Sequence, residues 1–424
     1  MKVLSIGNFQ YLSKKDLNNN LKKPKENPVY LSNNSIYTNK AIDALAFRSL
    51  AQITTNFSKE ISEQPIVIKN ILNSFFGIAN KITNININLS SREMNAVKAL
   101  HIVASGSSKH ASEMAKTFIE RITNLPVNIY SASEFMTSAP KINQKDLMIF
   151  VSQSGNTADT HEALKYAENK HIKTIALTNN MLSKISRDAD FSINLHAGEE
   201  KAVAATKTVT STVVNLWGIG MKLAELKNRY YNDNMNLVRE LNRLPDLISK
   251  MLNDKSAIEN IAKKYANVEN VYILAKEPNL GAANEGALKL TETTQKRVIS
   301  GSSSEFMHGL FTSIKPNDLY IQIATGNRFD KGARLAKENF NEIVQKRDLP
   351  SAVLFTNSKE SFIDGNALNV YVPSTLSDFQ PLLNTIRLQQ LTEAFTKELK
   401  INPDNGGGVL TKYRSNLTMN KVLI

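Results

Sequence analysis

Three charged residues share one helical face in the segment Asn284-Glu285-Gly286-Ala287-Leu288-Lys289-Leu290-Thr291-Glu292, where Glu285, Lys289 and Glu292 stand at i, i+4 and i+7. Carboxylates beside an ammonium are groups that can move a proton at a carbon next to a carbonyl. A solvated salt-bridge face has the same pattern, and spacing alone does not separate the two. Sixteen residues after Glu292, Glu305-Phe306-Met307-His308-Gly309 places one of the chain's six histidines before a glycine. Such a histidine can shuttle protons near neutral pH or simply sit at the surface.

Two further segments suit an anion. Ser105-Gly106-Ser107-Ser108 and Ser152-Gln153-Ser154-Gly155-Asn156-Thr157 each follow a short apolar run and open an amphipathic stretch. Backbone N–H groups at a helix start carry partial positive charge; hydroxyls add donors, and glycine permits close approach. Together they can cradle a phosphate dianion. Ordinary Ser/Gly turns are the plainer reading of either loop alone, but two at matching places in one sheet favour phosphate. Neither fits the P-loop or dinucleotide glycine pattern. Val203-Ala204-Ala205-Thr206-Lys207-Thr208 enters a long apolar stretch and alone reads as a helix entry.

These loops need a frame. From residue 99 the chain alternates apolar runs with amphipathic segments: Ala99–Ala104, Val127–Ser131, Leu147–Val151, Thr174–Leu177 and Phe191–Leu195 as strands, Lys109–Thr123, Thr157–Asn169 and Ala204–Leu226 as helices. The grammar recurs with strands Val271–Ala275, Leu319–Ile323 and Val353–Phe355 and helices Leu280–Thr293, Ala333–Lys346 and Phe379–Leu399. The first strands of the two halves end 275 − 104 = 171 residues apart. The expected fold class is α/β, with two tandem doubly wound, flavodoxin-like units whose ligands sit at the carboxyl ends of parallel strands. The expected divisions are an irregular extension over 1–57, a first domain over 58–235, a second over 236–400 and a tail over 401–424. Leading helices are expected from Phe57 to about Leu89.

In this order the segments resemble the sugar isomerase (SIS) domain family, and in particular the tandem isomerase half of glutamine–fructose-6-phosphate aminotransferases and SIS-type glucosamine-6-phosphate deaminases. Lys59-Glu60-Ile61-Ser62-Glu63-Gln64-Pro65 resembles the opening of that half, and Asn402-Pro403-Asp404 its tail, over about residues 57–412. The resemblance implies that Gly106, Ser107, Ser108, Ser152, Gln153, Ser154 and Thr157 bind the phosphosugar, with Val203 and Ala205 closing over it. It implies Glu292 as the carboxylate moving a proton between C1 and C2, and Lys289 as the lysine beside it. It also implies His308 as a ring-opening residue acting across a subunit interface, and Lys412 as the tail lysine reaching the substrate carbonyl. Two positions depart from the family: Leu310 follows the His-Gly pair where proline is usual, and Asn405–Lys412 carries three glycines in place of a Pro-Arg.

Composition narrows the rest. Of 424 residues none is cysteine, which excludes disulfides, Cys-ligated metals and thiol nucleophiles from this sequence. Of the net charge of 52 − 39 = +13, more than a third lies in residues 1–57 (8 − 3 = +5) and the rest is scattered, without the motifs of a nucleic-acid binder. No apolar run reaches membrane-spanning length and no signal-peptide pattern opens the chain, so a cytoplasmic protein is expected. The expected activity is a metal-independent amino-sugar phosphate deaminase/isomerase without cofactor, acting as a homodimer with shared active sites on glucosamine 6-phosphate or a close analogue. The alternatives are an ammonia- or partner-fed isomerase half of the synthase, a phosphosugar sensor without turnover, and a deglycase on another phosphosugar. A single-chain synthase is not expected, since its glutaminase needs a cysteine nucleophile.

Overall fold

Leu100-His101-Ile102-Val103-Ala104 and Leu147-Met148-Ile149-Phe150-Val151 are buried along their whole length, as strands covered by helices on both sheet faces must be. The computed structural model describes residues 55–75, 85–138, 140–229, 234–327, 329–347, 349, 351–358 and 367–408. Lys412 and residues 1–54 of the expected extension lie outside that set.

In the first half, α1 (Asn56–Phe75) and α2 (Ser91–Ala96) lead into β1 (Leu100–Ala104), α3 (Ser107–Thr123), β2 (Val127–Ser131), α4 (Ala132–Ser138) and β3 (Leu147–Val151). Next come α5 (Ala158–Asn169), β4 (Lys173–Thr178), α6 (Lys184–Asp188), β5 (Phe191–Asn194) and α7 (Lys207–Leu226). The strands are parallel in the order β2-β1-β3-β4-β5. The second half runs α8 (Asn234–Asn253), α9 (Ser256–Tyr265), β6 (Asn270–Ala275), α10 (Leu280–Thr294), β7 (Arg297–Ser302) and α11 (Ser303–Phe306). It ends with β8 (Leu319–Ala324), α12 (Lys331–Arg347), β9 (Ala352–Thr356), β10 (Leu368–Tyr371) and α13 (Gln380–Glu398). Its parallel sheet, β7-β6-β8-β9-β10, repeats the first order strand for strand. The fold is therefore two tandem doubly wound α/β halves.

Some expectations change. The leading helix is described as far as Phe75, and residues 85–90, inside the expected helical stretch, are not helical; α2 then begins behind a capping box in which Ser90 and Glu93 satisfy each other's backbone N–H groups. β7 and β10 were not expected, because each is an edge strand with little burial, Val370 being the one buried residue of the two, and neither forms an apolar run.

The halves share one core. Phe118 on α3, Trp217 on α7 and Phe379 at the start of α13 pack mutually in tilted and edge-on contacts, with ring centroids 4.6–6.2 Å apart. α10 packs directly on α3 because position 281 is glycine: a Cβ there would lie 2.8 Å from the His110 carbonyl oxygen and the Met114 nitrogen. This close approach brings a helix of the second half to the ligand end of the first sheet.

Candidate active site

The loops after β1 and β3 lie side by side because those strands are neighbours. Each loop feeds a helix: Gly106 precedes α3 and Thr157 precedes α5, and neither helix start is capped by that residue's own side chain. The Ser152 hydroxyl accepts the Gly155 N–H at 3.1 Å and lies 2.9 Å from the Thr157 hydroxyl, which fixes the loop's curvature. Gly155 is obligatory: its φ is +64°, and a Cβ would fall 2.0 Å from the Ser183 Oγ. Two helix starts furnished with hydroxyls thus open on a cavity of about 800 Å³.

Gly106, Ser107, Ser108, Ser152, Gln153, Ser154, Thr157, Val203, Ala205 and Glu292 all line this cavity. So do Ser105, Thr160, Glu199, Glu200, Lys201, Thr208, Thr212 and Leu288, which sequence reasoning missed apart from the named loop segments. Thr160 stands one helical turn after Thr157, so helical periodicity was the signal that could have found it. Glu200 caps α7, accepting the N–H groups of Thr206 at 2.8 Å and Thr208 at 3.2 Å and the Thr208 hydroxyl at 2.5 Å. The positive end of α7 is thereby already met by a carboxylate, whereas α3 and α5 remain the anion-facing starts.

The opposite wall comes from α10, where Leu288 and Glu292 face the cavity and Lys289 lies behind them. The Lys289 Nζ is 2.6 Å from Glu292 Oε2 and 3.5 Å from Glu285 Oε1; the side chains are 1%, 23% and 0% exposed respectively. The face at i, i+4 and i+7 is therefore interior, not the solvated salt-bridge strip. Glu285 also binds His110 Nδ1 of α3 at 2.9 Å. Burial pushes the Glu285 carboxyl up, but Lys289 and then His110 outweigh it and hold it below the usual range. Burial likewise opposes the Lys289 charge, yet Glu285 and Glu292 keep it above the ordinary lysine range.

Not every expected residue meets here. Lys289 does not reach the cavity wall, and His308 is exposed in the turn after α11, away from its own chain's cavity. Lys412 lies outside the described residues. Among the described residues no three His, Asp or Glu side chains cluster as metal ligands would, and no helix is long and apolar enough to cross a membrane.

The SIS domain family matches residues 93–220 and 264–392, one match per half. The chain is 33% identical over 336 residues to the glutamine–fructose-6-phosphate aminotransferase of Caldanaerobacter subterraneus, covering 78% of this chain and 54% of that protein. The Clostridium tetani protein of the same name is also 33% identical, over 335 residues. The chain thus spans about half the length of the curated relatives it matches. Among solved structures, the C-terminal domain of glucosamine–fructose-6-phosphate aminotransferase from Francisella tularensis superposes with a TM-score of 0.76 at 25% identity, covering 83% of this chain and 98% of that one. A glucosamine-6-phosphate deaminase from Thermotoga maritima shares the fold, with a TM-score of 0.59 at 17% identity over 84% of this chain and 99% of that one.

Proposed function

Because the chain belongs to the SIS domain family, we propose that its cavity converts an amino-sugar phosphate, glucosamine 6-phosphate or a close analogue, to fructose 6-phosphate and ammonia. One observation carries this reading: a carboxylate, Glu292, opens on the same cavity as the two hydroxyl-furnished helix starts. The phosphate sits at Ser107, Ser108, Ser152, Ser154 and Thr157, and the open-chain sugar extends toward α10. Glu292 takes the C2 proton and returns it to C1 while the carbonyl oxygen gains the proton that the amine nitrogen gives up, so the aldehyde becomes an alcohol and the C2 amine an imine. Water then adds to the imine, ammonia leaves, and the ketose remains. A positioned acid–base group of this kind accelerates proton transfer by about 10²–10⁴-fold.

The lining charges suit an amine at one end and a phosphate at the other. Glu199, Glu200 and Glu292 line the cavity together with a single lysine, Lys201, whose Nζ lies 3.6 Å from Glu199. The exposure of His308 suits a dimer in which the partner's His308 completes the cavity. A second reading runs the same chemistry toward amination, with ammonia from solution or a partner; the name shared by the relatives above 30% identity favours it.

Ammonia and fructose 6-phosphate are measured from a panel of amino-sugar phosphates, with the reverse reaction followed from fructose 6-phosphate and ammonium. Release from at least one substrate is expected, with specific activity falling on dilution as the dimer dissociates. Tight phosphosugar binding without conversion in either direction would overturn the reading and leave a sensor.

A further inference from the structure

The segment Lys59-Glu60-Ile61-Ser62-Glu63-Gln64-Pro65 supplies no part of the cavity wall. Its Glu60 instead holds backbone of the wall, and Glu63 and Gln64 hold side chains at the start of α7. Glu60, 4% exposed, accepts the N–H groups of Lys201 and Ala202, the second at 3.3 Å. Glu63 holds Lys207 at 2.7 Å, and Gln64 takes the Thr210 hydroxyl while donating to Gln389 of α13 at 2.8 Å.

The start of the same helix binds the tail. The Asn56 and Phe57 N–H groups have no intrahelical acceptor, as at any helix start. Both donate to the Asp404 carboxylate at 2.8 Å, and the Asn56 amide adds a third bond at 3.0 Å. The Asp404 carbonyl in turn accepts the Val203 N–H at 3.4 Å. The turn Pro403–Gly408 also packs on α10, the helix of Lys289 and Glu292.

We infer that Asp404 is a positioning residue: anchored to the start of α1, it holds the Val203–Ala205 wall through the Val203 N–H, while Glu60 of the same helix holds residues 201 and 202. It lines no part of the cavity. The inference rests on the reading of the cavity given above, since a wall matters only if a ligand lies against it. A plain helix cap would make the same three bonds to α1, but its loss would affect only that helix or the stability of the whole chain.

Hydrogen exchange of the 424-residue chain separates these cases and needs no substrate. In Asp404→Ala, removal of bonds to a charged group should speed exchange of the 201–205 amides about tenfold or more, with β1 and β3 unchanged. KM for the converted amino-sugar phosphate should rise by a similar factor with little change in kcat. Asp404→Asn keeps one acceptor oxygen and should recover part of both effects; it carries the same test if the alanine variant does not fold. Faster exchange confined to the first turn of α1, or equal acceleration everywhere, would overturn the inference. Local acceleration at 201–205 in a protein that converts no amino-sugar phosphate would uphold the clamp and refute the functional reading instead.

Discussion

The two halves have the same sheet order and differ in what their ligand ends do. In the first, the loops after β1 and β3 present serines and threonines to a cavity. In the second, the matching loops after β6 and β8 are stitched together by amides. Asn279 donates to the Thr325 carbonyl at 3.0 Å, Asn384 of α13 donates to Asn279 at 2.8 Å and to the Thr325 hydroxyl at 2.7 Å, and Asn357 accepts the Gly326 N–H at 2.6 Å. Topology offers a crevice at the switch point of each sheet. Side chains decide whether it stays open, and here the half whose crevice is stitched lends a helix to the half whose crevice is open.

The largest expected effect tests that loan. Glu292→Gln keeps size and hydrogen bonding but cannot take the C2 proton, so turnover should fall by about two to four orders of magnitude. Binding of fructose 6-phosphate should change little, which would place Glu292 in the chemical step rather than in affinity. Turnover that survives the substitution would mean the second half contributes no base to the first half's cavity.

Next in size is the bridge between the halves. Glu285→Gln leaves Lys289 short of a partner in a sealed site, at a cost of up to about 3–5 kcal/mol at neutral pH. The sign with pH follows from direction. The folded carboxyl titrates below its usual 4.5, because Lys289 and His110 outweigh burial. Its ionisation therefore adds stability that is full above the unfolded value and is lost as pH falls through the folded one. Urea unfolding of the wild type should weaken in that acid window, and the variant should lose part of the acid dependence. Matching midpoints for the two proteins at neutral pH would show that the bridge adds nothing.

Much of this was legible in the sequence and some was not, for physical reasons. Central strands such as Leu147–Val151 announce themselves because burial on both faces demands an unbroken apolar run. Edge strands such as Arg297–Ser302, in which no residue is fully buried, demand no apolar run, and a segment half hydroxyl and glycine hides there. The two Ser-rich loops were readable from residue type. The burial of Glu285 was not, because i, i+4 and i+7 spacing gives the same pattern for an interior network and a wet helix face. Contacts such as Asp404 with Asn56, or Glu60 with Ala202, join segments far apart in the chain, and no local pattern encodes them.

The smallest effects give the sharpest contrast, because equivalent places in the two sheets should respond in opposite ways. Replacing Ser152 and Thr157 by alanine removes two hydroxyls from the open crevice. Each bond to a charged phosphate is worth ~1.5–3 kcal/mol, so fructose 6-phosphate affinity by calorimetry should fall at least about tenfold. Stability should fall by only ~1 kcal/mol, since the chief internal loss is the bond from the Gly155 N–H to Ser152. Replacing Asn279 and Asn384 by alanine does the reverse. Both are buried, and their bonds are spent on each other, on Thr325 and on the backbone. Groups left unpaired there cost ~1–3 kcal/mol each, so the urea midpoint should drop while affinity holds. If the asparagine pair weakened phosphosugar binding as much as the Ser152 and Thr157 pair does, the second crevice would be a working site rather than a stitched one, and the contrast between the halves would fail.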